Sequence, residues 1–200
     1  MTGPAPLIAS LLCTALPLAA APLEVRVADA AGKPIAGVVV FVESPEARSA
    51  IRPVAGTEIA QVGKQFVPPV TIVPVGSAIN FPNRDTVRHH VYSFSPVKPF
   101  EIKLYVGTPA SPVVFDKPGI AVLGCNIHDN MVAWVVIVDT PYYGQTGADG
   151  KLTLPNLPTG NYRLRTWHAG LPVGAAPSDQ ALVMGSGAQQ AAVTLAGLRP

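Results

Sequence analysis

The stretch PGIAVLGCNIHDNM, Pro118 to Met131, runs an apolar strand pattern into a glycine and then into a cluster of soft donors. Cys125, His128 and Met131 stand at the spacing C-x2-H-x2-M. A thiolate, an imidazole and a thioether in one loop favour copper over magnesium, calcium or manganese. Zinc ordinarily draws a further cysteine, histidine or carboxylate rather than a methionine. A trigonal site of two histidines and one cysteine, with a weak axial methionine, needs one more histidine. RHHVYSF, Arg88 to Phe94, supplies two candidates upstream, His89 and His90. Successive residues of a strand point to opposite faces, so only one of the two can turn inward. Singly, each residue has a bland reading: a buried cysteine as an inert small hydrophobe, a methionine as core, adjacent histidines as surface. Their order and spacing together favour a metal.

Outward from this loop the chain reads as strands. QFVPPVTIVPVGSAINFPN, HHVYSF, FEIKLYVG, PVVFDKPGIAVLG and MVAWVVIVD follow one another with turn residues between them. No stretch here has a helical period, and the prolines would break one. Several short strands separated by turns predict an antiparallel sandwich or barrel. The flanks have the same character. LEVRV (Leu23–Val27) alternates apolar and polar, DAAGKPIAG is turn chemistry, and VVVFVE is a short apolar strand. Near the other end, Asp149-Gly150 marks a turn, Leu152 and Leu154 alternate, and Pro155 to Gly160 read as a loop. Tyr162, Leu164 and Thr166 then share one strand face, with Arg163 and Arg165 on the other. Residues 171–190 read as a loop, and Ala191–Leu195 as a last strand.

The pairing of VRVADAAGKPIAG with DGKLTLPNLPTGNYRLR resembles the two halves of a carboxypeptidase-regulatory-like β-sandwich. In that family a short strand pair separates the halves, whereas about a hundred residues intervene here. The expected organisation is therefore all-β: a leader at 1–21, a discontinuous small Ig-like sandwich at 22–57 and 141–200, and a second β-sandwich inserted at 58–140. A single extended sandwich is the alternative.

The inserted segment resembles the cupredoxins, nearest the amicyanin and plastocyanin branch. The resemblance rests on FVP at Phe66–Pro68, VPVGSAINF at Val73–Phe81, NRDTVRHHV at Asn83–Val91 and PGIAVLGCNIHDNM at Pro118–Met131. It covers about 80 residues and implies a Greek-key sandwich holding one copper ion that cycles between Cu(I) and Cu(II). Carried over by position, the implied ligands are His89, Cys125, His128 and Met131. The resemblance also implies that the edge of His128 reaches the surface through an apolar patch where redox partners dock. Two positions depart from the family: His90 stands where it has asparagine after the first ligand, and Asn126 where it has serine or threonine after the cysteine. His90 thus stays open as the first ligand in place of His89. The whole chain also resembles bacterial proteins labelled methylamine utilisation proteins, with the same two-part layout.

Composition agrees with such a role. A net charge of +2, a charged fraction of 13% and the lack of any basic run point to no nucleic-acid partner. The 22 prolines and 18 glycines are spread through the chain, as turns between strands require. The first 21 residues carry no charge, and their apolar run ends in small residues, which is the pattern of an export signal. A membrane anchor is the competing reading, but Pro17 breaks the run and it is short for a span. Cleavage would leave Cys125 as the one cysteine, with no intramolecular disulfide. A lone thiol in an oxidising compartment must be buried or coordinated. The expected function is a periplasmic, monomeric type 1 copper protein, not an enzyme. It would carry single electrons between partners such as a dehydrogenase and a cytochrome c, serving methylamine or amine oxidation. The alternatives are a non-redox copper-binding or carrier module and a cupredoxin-like interaction domain. Of the remaining aromatic and imidazole side chains, Trp134 and Trp167 read as core, and His168 as a surface residue near a strand end.

Overall fold

The computed structural model describes residues 20–199. The expected leader lies outside these residues except for its last two. Ala20 and Ala21 already open the first strand, β1 (Ala20–Ala28), where Ala21 is buried.

Alternation of apolar and polar residues makes β1 half-buried: Leu23, Val25 and Val27 turn inward while Glu24 and Arg26 face out. After the turn at Gly32 come β2 (Val39–Glu43) and a single helical turn, α1 (Pro45–Ser49). Ser44 caps α1 by accepting from the Ala47 amide, and proline occupies its first turn, where no amide is needed.

The middle of the chain forms β3 (Thr57–Glu58), β4 (Ala60–Val62), β5 (Gln65–Val67), β6 (Val70–Pro74), β7 (Ser77–Asn80), β8 (His89–Ser93), β9 (Phe100–Tyr105), β10 (Val113–Phe115), β11 (Gly119–Gly124) and β12 (Val132–Val138). Five of these form a sheet in the order β6-β12-β11-β8-β9, three another in the order β10-β7-β3, and β4-β5 a hairpin. Between them lies a core that includes Phe81, Ile79, Phe115, Leu123 and Val135, all essentially fully buried.

The chain then returns to the first group with β13 (Tyr143–Gln145), β14 (Lys151–Pro158), β15 (Gly160–Trp167), β16 (Gln180–Met184) and β17 (Gln189–Thr194). These pair as β14-β1-β17 and β13-β2-β15-β16, closing over Leu23, Val25, Val40, Leu157 and Leu164. Among the described residues no sheet mixes strands of the outer and middle groups. The fold is all-β, with the sheets of the middle strands flanked in sequence by those of a second group. A third apolar cluster, Val39, Phe41, Val136, Val138 and Trp167, joins the two.

Two sequence expectations change. Pro155–Gly160 is not a loop: β14 runs to Pro158, with an irregularity in its register opposite Pro22. Asn156 adopts φ 56° there, a conformation asparagine tolerates. The strand continues because Leu154 and Leu157 both reach the core across this break. Residues 171–190 are also not all loop, since β16 adds to the edge of β15 and buries Met184. The small residues on either side hide so short a strand from a pattern reading. Tyr162, Leu164 and Thr166 are buried on one face of β15, as their alternation predicts.

Candidate metal centre

Strand pairing assembles the site. β11 and β12 form an antiparallel hairpin whose last pair is Gly124 with Val132, so residues 125–131 close a loop at its end. The Met131 amide donates to the His128 carbonyl at 2.9 Å and tightens this loop. β8 pairs with β11 through Tyr92 and Gly124. Antiparallel register then sets the start of β8, three residues back, against the loop.

His89, Cys125 and His128 meet there, with one potential donor atom from each inside a span of 4.8 Å. Cys125 Sγ lies 3.8 Å from His128 Nδ1, and the two imidazole rings are 4.9 Å apart, tilted by 58°. This is the scale of donors that share one ion at bonds of about 2.0–2.3 Å. His89 and Cys125 are buried and His128 is half-buried. Met131 is 1% exposed and packs in the same core as Cys125.

Of the two adjacent histidines, His89 faces this cluster. His90 points to the other face of β8, where its Nε2 lies 3.0 Å from Glu101 and its ring 5.6 Å from that of Tyr92. Asn126 is exposed.

A carboxylate that the sequence reading passed over orders His89. Asp85 Oδ2 lies 2.7 Å from His89 Nε2. A carboxylate only accepts, so Nε2 is the donor in this bond, which leaves Nδ1 as the ring nitrogen open to a metal. His89 Nδ1 is buried and has no hydrogen-bond partner among the described residues. Such an atom costs free energy unless something occupies it. Asp85 itself accepts from the amides of Gly63 and Lys64, at 2.6 and 2.8 Å. These two residues form the tight turn between β4 and β5, both with positive φ. The Lys64 amide, with help from His89 and the Gly63 amide, holds the Asp85 carboxyl below its usual range against the opposing effect of burial. The signal in the sequence was a carboxylate four residues before the histidine, in NRDTVRH.

Other polar groups fix the surroundings. Asn83 accepts from the Asp85 amide and donates to the carbonyls of Val87 and Tyr105, bracing the loop before His89. The Tyr105 hydroxyl donates to the Phe81 carbonyl at 2.6 Å and accepts from the amide of Gln61. Burial above all pushes the Tyr105 phenol up to about 12; the Gln61 bond opposes this and nearby Cys125 adds to it.

The exposed side of His128 opens into a cavity of about 390 Å³ lined by Lys64, Gln65, Phe66, Pro69, Asp129 and Val132, among others. The loop residues that carry the turns at this end, Lys64 and Asp129, are charged.

No known family's sequence model matches the chain, and no curated protein does. Solved structures do. A Cu-containing nitrite reductase from Thermus scotoductus SA-01 is 25% identical over 44% of this chain, with a TM-score of 0.39. The match spans only 23% of that enzyme. A purple cupredoxin from Nitrosopumilus maritimus is 20% identical over 41% of this chain and 99% of its own, with a TM-score of 0.37. A reduced, Cu(I) form of an amicyanin variant is 20% identical over 50% of this chain and 98% of its own, with a TM-score of 0.38. The likeness is confined to half of the chain or less, and the reading of the site rests on its own residues. Two imidazoles, one thiol and a neighbouring thioether, with no free carboxylate among the three converging donors, fit copper. No helix among the described residues is long and apolar enough to cross a membrane.

Proposed function

We propose that this chain carries single electrons through one copper ion held by His89, Cys125, His128 and Met131. The observation that carries this reading is the convergence of three donor atoms, one of which, His89 Nδ1, is buried with no other partner. Copper when bound supplies a one-electron couple between Cu(I) and Cu(II). The chain's own residues do the rest. Asp85 holds the His89 proton on Nε2 and so keeps Nδ1 turned to the metal position. Cys125 would give up its proton on coordination and offer a buried thiolate. Met131, buried in the same core as Cys125, would be the fourth donor. The braced loops before His89 and after Gly124 keep the donors in place, so little has to move when the charge changes. His128 is the donor nearest solvent, and its edge is where a partner protein would make contact.

Export to the periplasm, exchange of electrons with a dehydrogenase and a cytochrome c, and a place in methylamine or amine oxidation extend this proposal. They are supported by the uncharged leader and by resemblance. The outer strands take the part of a carboxypeptidase-regulatory-like sandwich with the copper sandwich inserted at 58–140, which the separate sheets and cores support. The chain is then a carrier, not an enzyme.

The visible spectrum of the copper-loaded protein tests the reading. An intense thiolate-to-copper band, blue to purple, should bleach reversibly on reduction and be absent in Cys125→Ser. A colourless copper complex would mean a binding or carrier module without redox work. His89→Ala should remove the band and His90→Ala should leave it; the reverse would reassign the first ligand.

A further inference from the structure

A second cavity lies on the outer face of the five-stranded sheet. Its volume is about 730 Å³. One wall is Tyr92, Phe94, Ile120 and Trp134 from the inserted sandwich; the other is Trp167 and the segment 172–177 from the outer one. Ile120, Trp134 and Trp167 also belong to the apolar contact that joins the two sandwiches, so the cleft is the uncovered end of that contact. The rim holds Phe94, 81% exposed, and Val173, 67% exposed. Such exposure of large apolar groups beside a cleft marks a binding place rather than ordinary surface.

The lining says what would fit. The volume lies within the range of about 300–1,000 Å³ typical of small-molecule sites. A partner protein would need a broad face of about 800 Å², whereas this is a two-sided slot between domains, a common location for ligands. No charged residue lines it, so a charged ligand would lose its hydration without a counterpart. The ring pairs Tyr92–Phe94 and Trp134–Trp167, at 4.9 and 6.3 Å, present aromatic surfaces suited to a flat ring. Polar handles are few. Ser95 Oγ is already engaged by the Val122 amide, while the Tyr92 hydroxyl makes no hydrogen bond among the described residues.

We propose that this cleft binds one neutral, flat aromatic molecule that carries a hydrogen-bond-accepting oxygen. The aromatic walls take the ring and the Tyr92 hydroxyl donates to the oxygen. The site is independent of the copper reading, because none of its residues is a candidate metal donor. It is nevertheless close to that centre. The Tyr92 ring occupies the space beside Gly124, where an added Cβ would lie 2.7 Å from it, and Cys125 follows directly. A bound ring would rest on the side chain that packs against this peptide.

The chain's two tryptophans both line the cleft, so their fluorescence reports on it directly. The probe is prodan, a neutral naphthyl ketone whose emission moves to the blue in apolar surroundings, titrated into the full chain without added metal. Saturable binding of one prodan per chain is expected, with energy transfer from tryptophan. Val173→Asp should weaken it about tenfold or more by placing a charge at the rim. Tyr92→Phe should weaken it about five- to tenfold through the lost hydrogen bond. Val183→Asp, on β16 and as exposed as Val173, should leave it unchanged. Binding that does not saturate, or is insensitive to Val173→Asp, or is weakened as much by Val183→Asp, would overturn the proposal. The anionic anilinonaphthalene sulfonate should bind more weakly than prodan; equal or tighter binding would also count against a neutral site.

Discussion

At the residue scale, His89 and His90 differ only in the direction that the strand gives them. His89 turns to Cys125 and His128, and Asp85 holds it there. The carboxylate accepts three hydrogen bonds, from His89 and from the amides of Gly63 and Lys64. Asp85→Ala leaves these donors without an acceptor and should cost about 1–3 kcal/mol, read as a lower urea midpoint near pH 7. Because the folded carboxyl is held low, its contribution is present above the unfolded value of 3.8 and is lost as pH falls below it. The gap between wild type and Asp85→Ala should therefore shrink between pH 5 and about pH 3; a constant gap would contradict the argument. His168 gives a pH dependence of the same sign by a different cause. It is half-buried rather than a plain surface residue, and its Nδ1 accepts from the Gly170 amide at 3.0 Å. Burial lowers its tendency to take a proton, against the pull of the Ala36 carbonyl. The unfolded imidazole binds more protons, so stability from this group is full well above its unfolded value of 6.5 and is lost progressively as pH falls from there through the lower folded value. Wild type should lose more stability than His168→Gln on going from pH 8 to about pH 5.5. Equal losses in denaturant titrations would remove His168 from the account.

At the element scale, the turns decide which strands meet. Gly150 ends the turn before β14 with φ +71°, its carbonyl accepts from the Val27 amide, and a Cβ there would lie 2.5 Å from the Val27 carbonyl. Gly32 has φ +81° and nothing within 4 Å. Alanine at Gly32 should cost about 1 kcal/mol of backbone strain. Alanine at Gly150 adds a backbone clash and should cost on the order of 2–3 kcal/mol. Comparing the two urea midpoints separates conformational strain from crowding; equal losses would mean that the clash relaxes freely. The β11–β12 hairpin shows the same logic at the metal centre. Its final pair, Gly124 with Val132, brings Cys125, His128 and Met131 into one loop.

At the scale of the molecule, Trp167 sits 3% exposed in the apolar contact between the sandwiches, 6.3 Å from Trp134. Two chain crossings, from β2 through α1 to β3 and from β12 to β13, tie the sandwiches covalently. The cluster of Val39, Phe41, Val136 and Val138 around Trp167 ties them energetically. Trp167→Ala should cost about 3–5 kcal/mol. It should also divide a single calorimetric unfolding transition into two as the sandwiches lose their coupling. One unchanged transition would show that the covalent crossings suffice.

Local patterns determined much of this protein. Alternation in LEVRV and NYRLRTW set which residues are buried, because a strand's side chains alternate in face whatever surrounds it. The spacing of Cys125, His128 and Met131 exposed a donor cluster because all three lie within one turn of chain. Local chemistry alone left the partner histidine as a pair, and position within the resembled pattern favoured His89; the pairing of β8 with β11 sets His89 beside Cys125 and His128, and Asp85 bonds to it. β16 escaped because an edge strand exists through its neighbour β15 rather than its own composition. The aromatic cleft escaped for a related reason. It is built from residues far apart in sequence, and only the packing of two sandwiches against each other, a long-range contact with no local signature, brings them together.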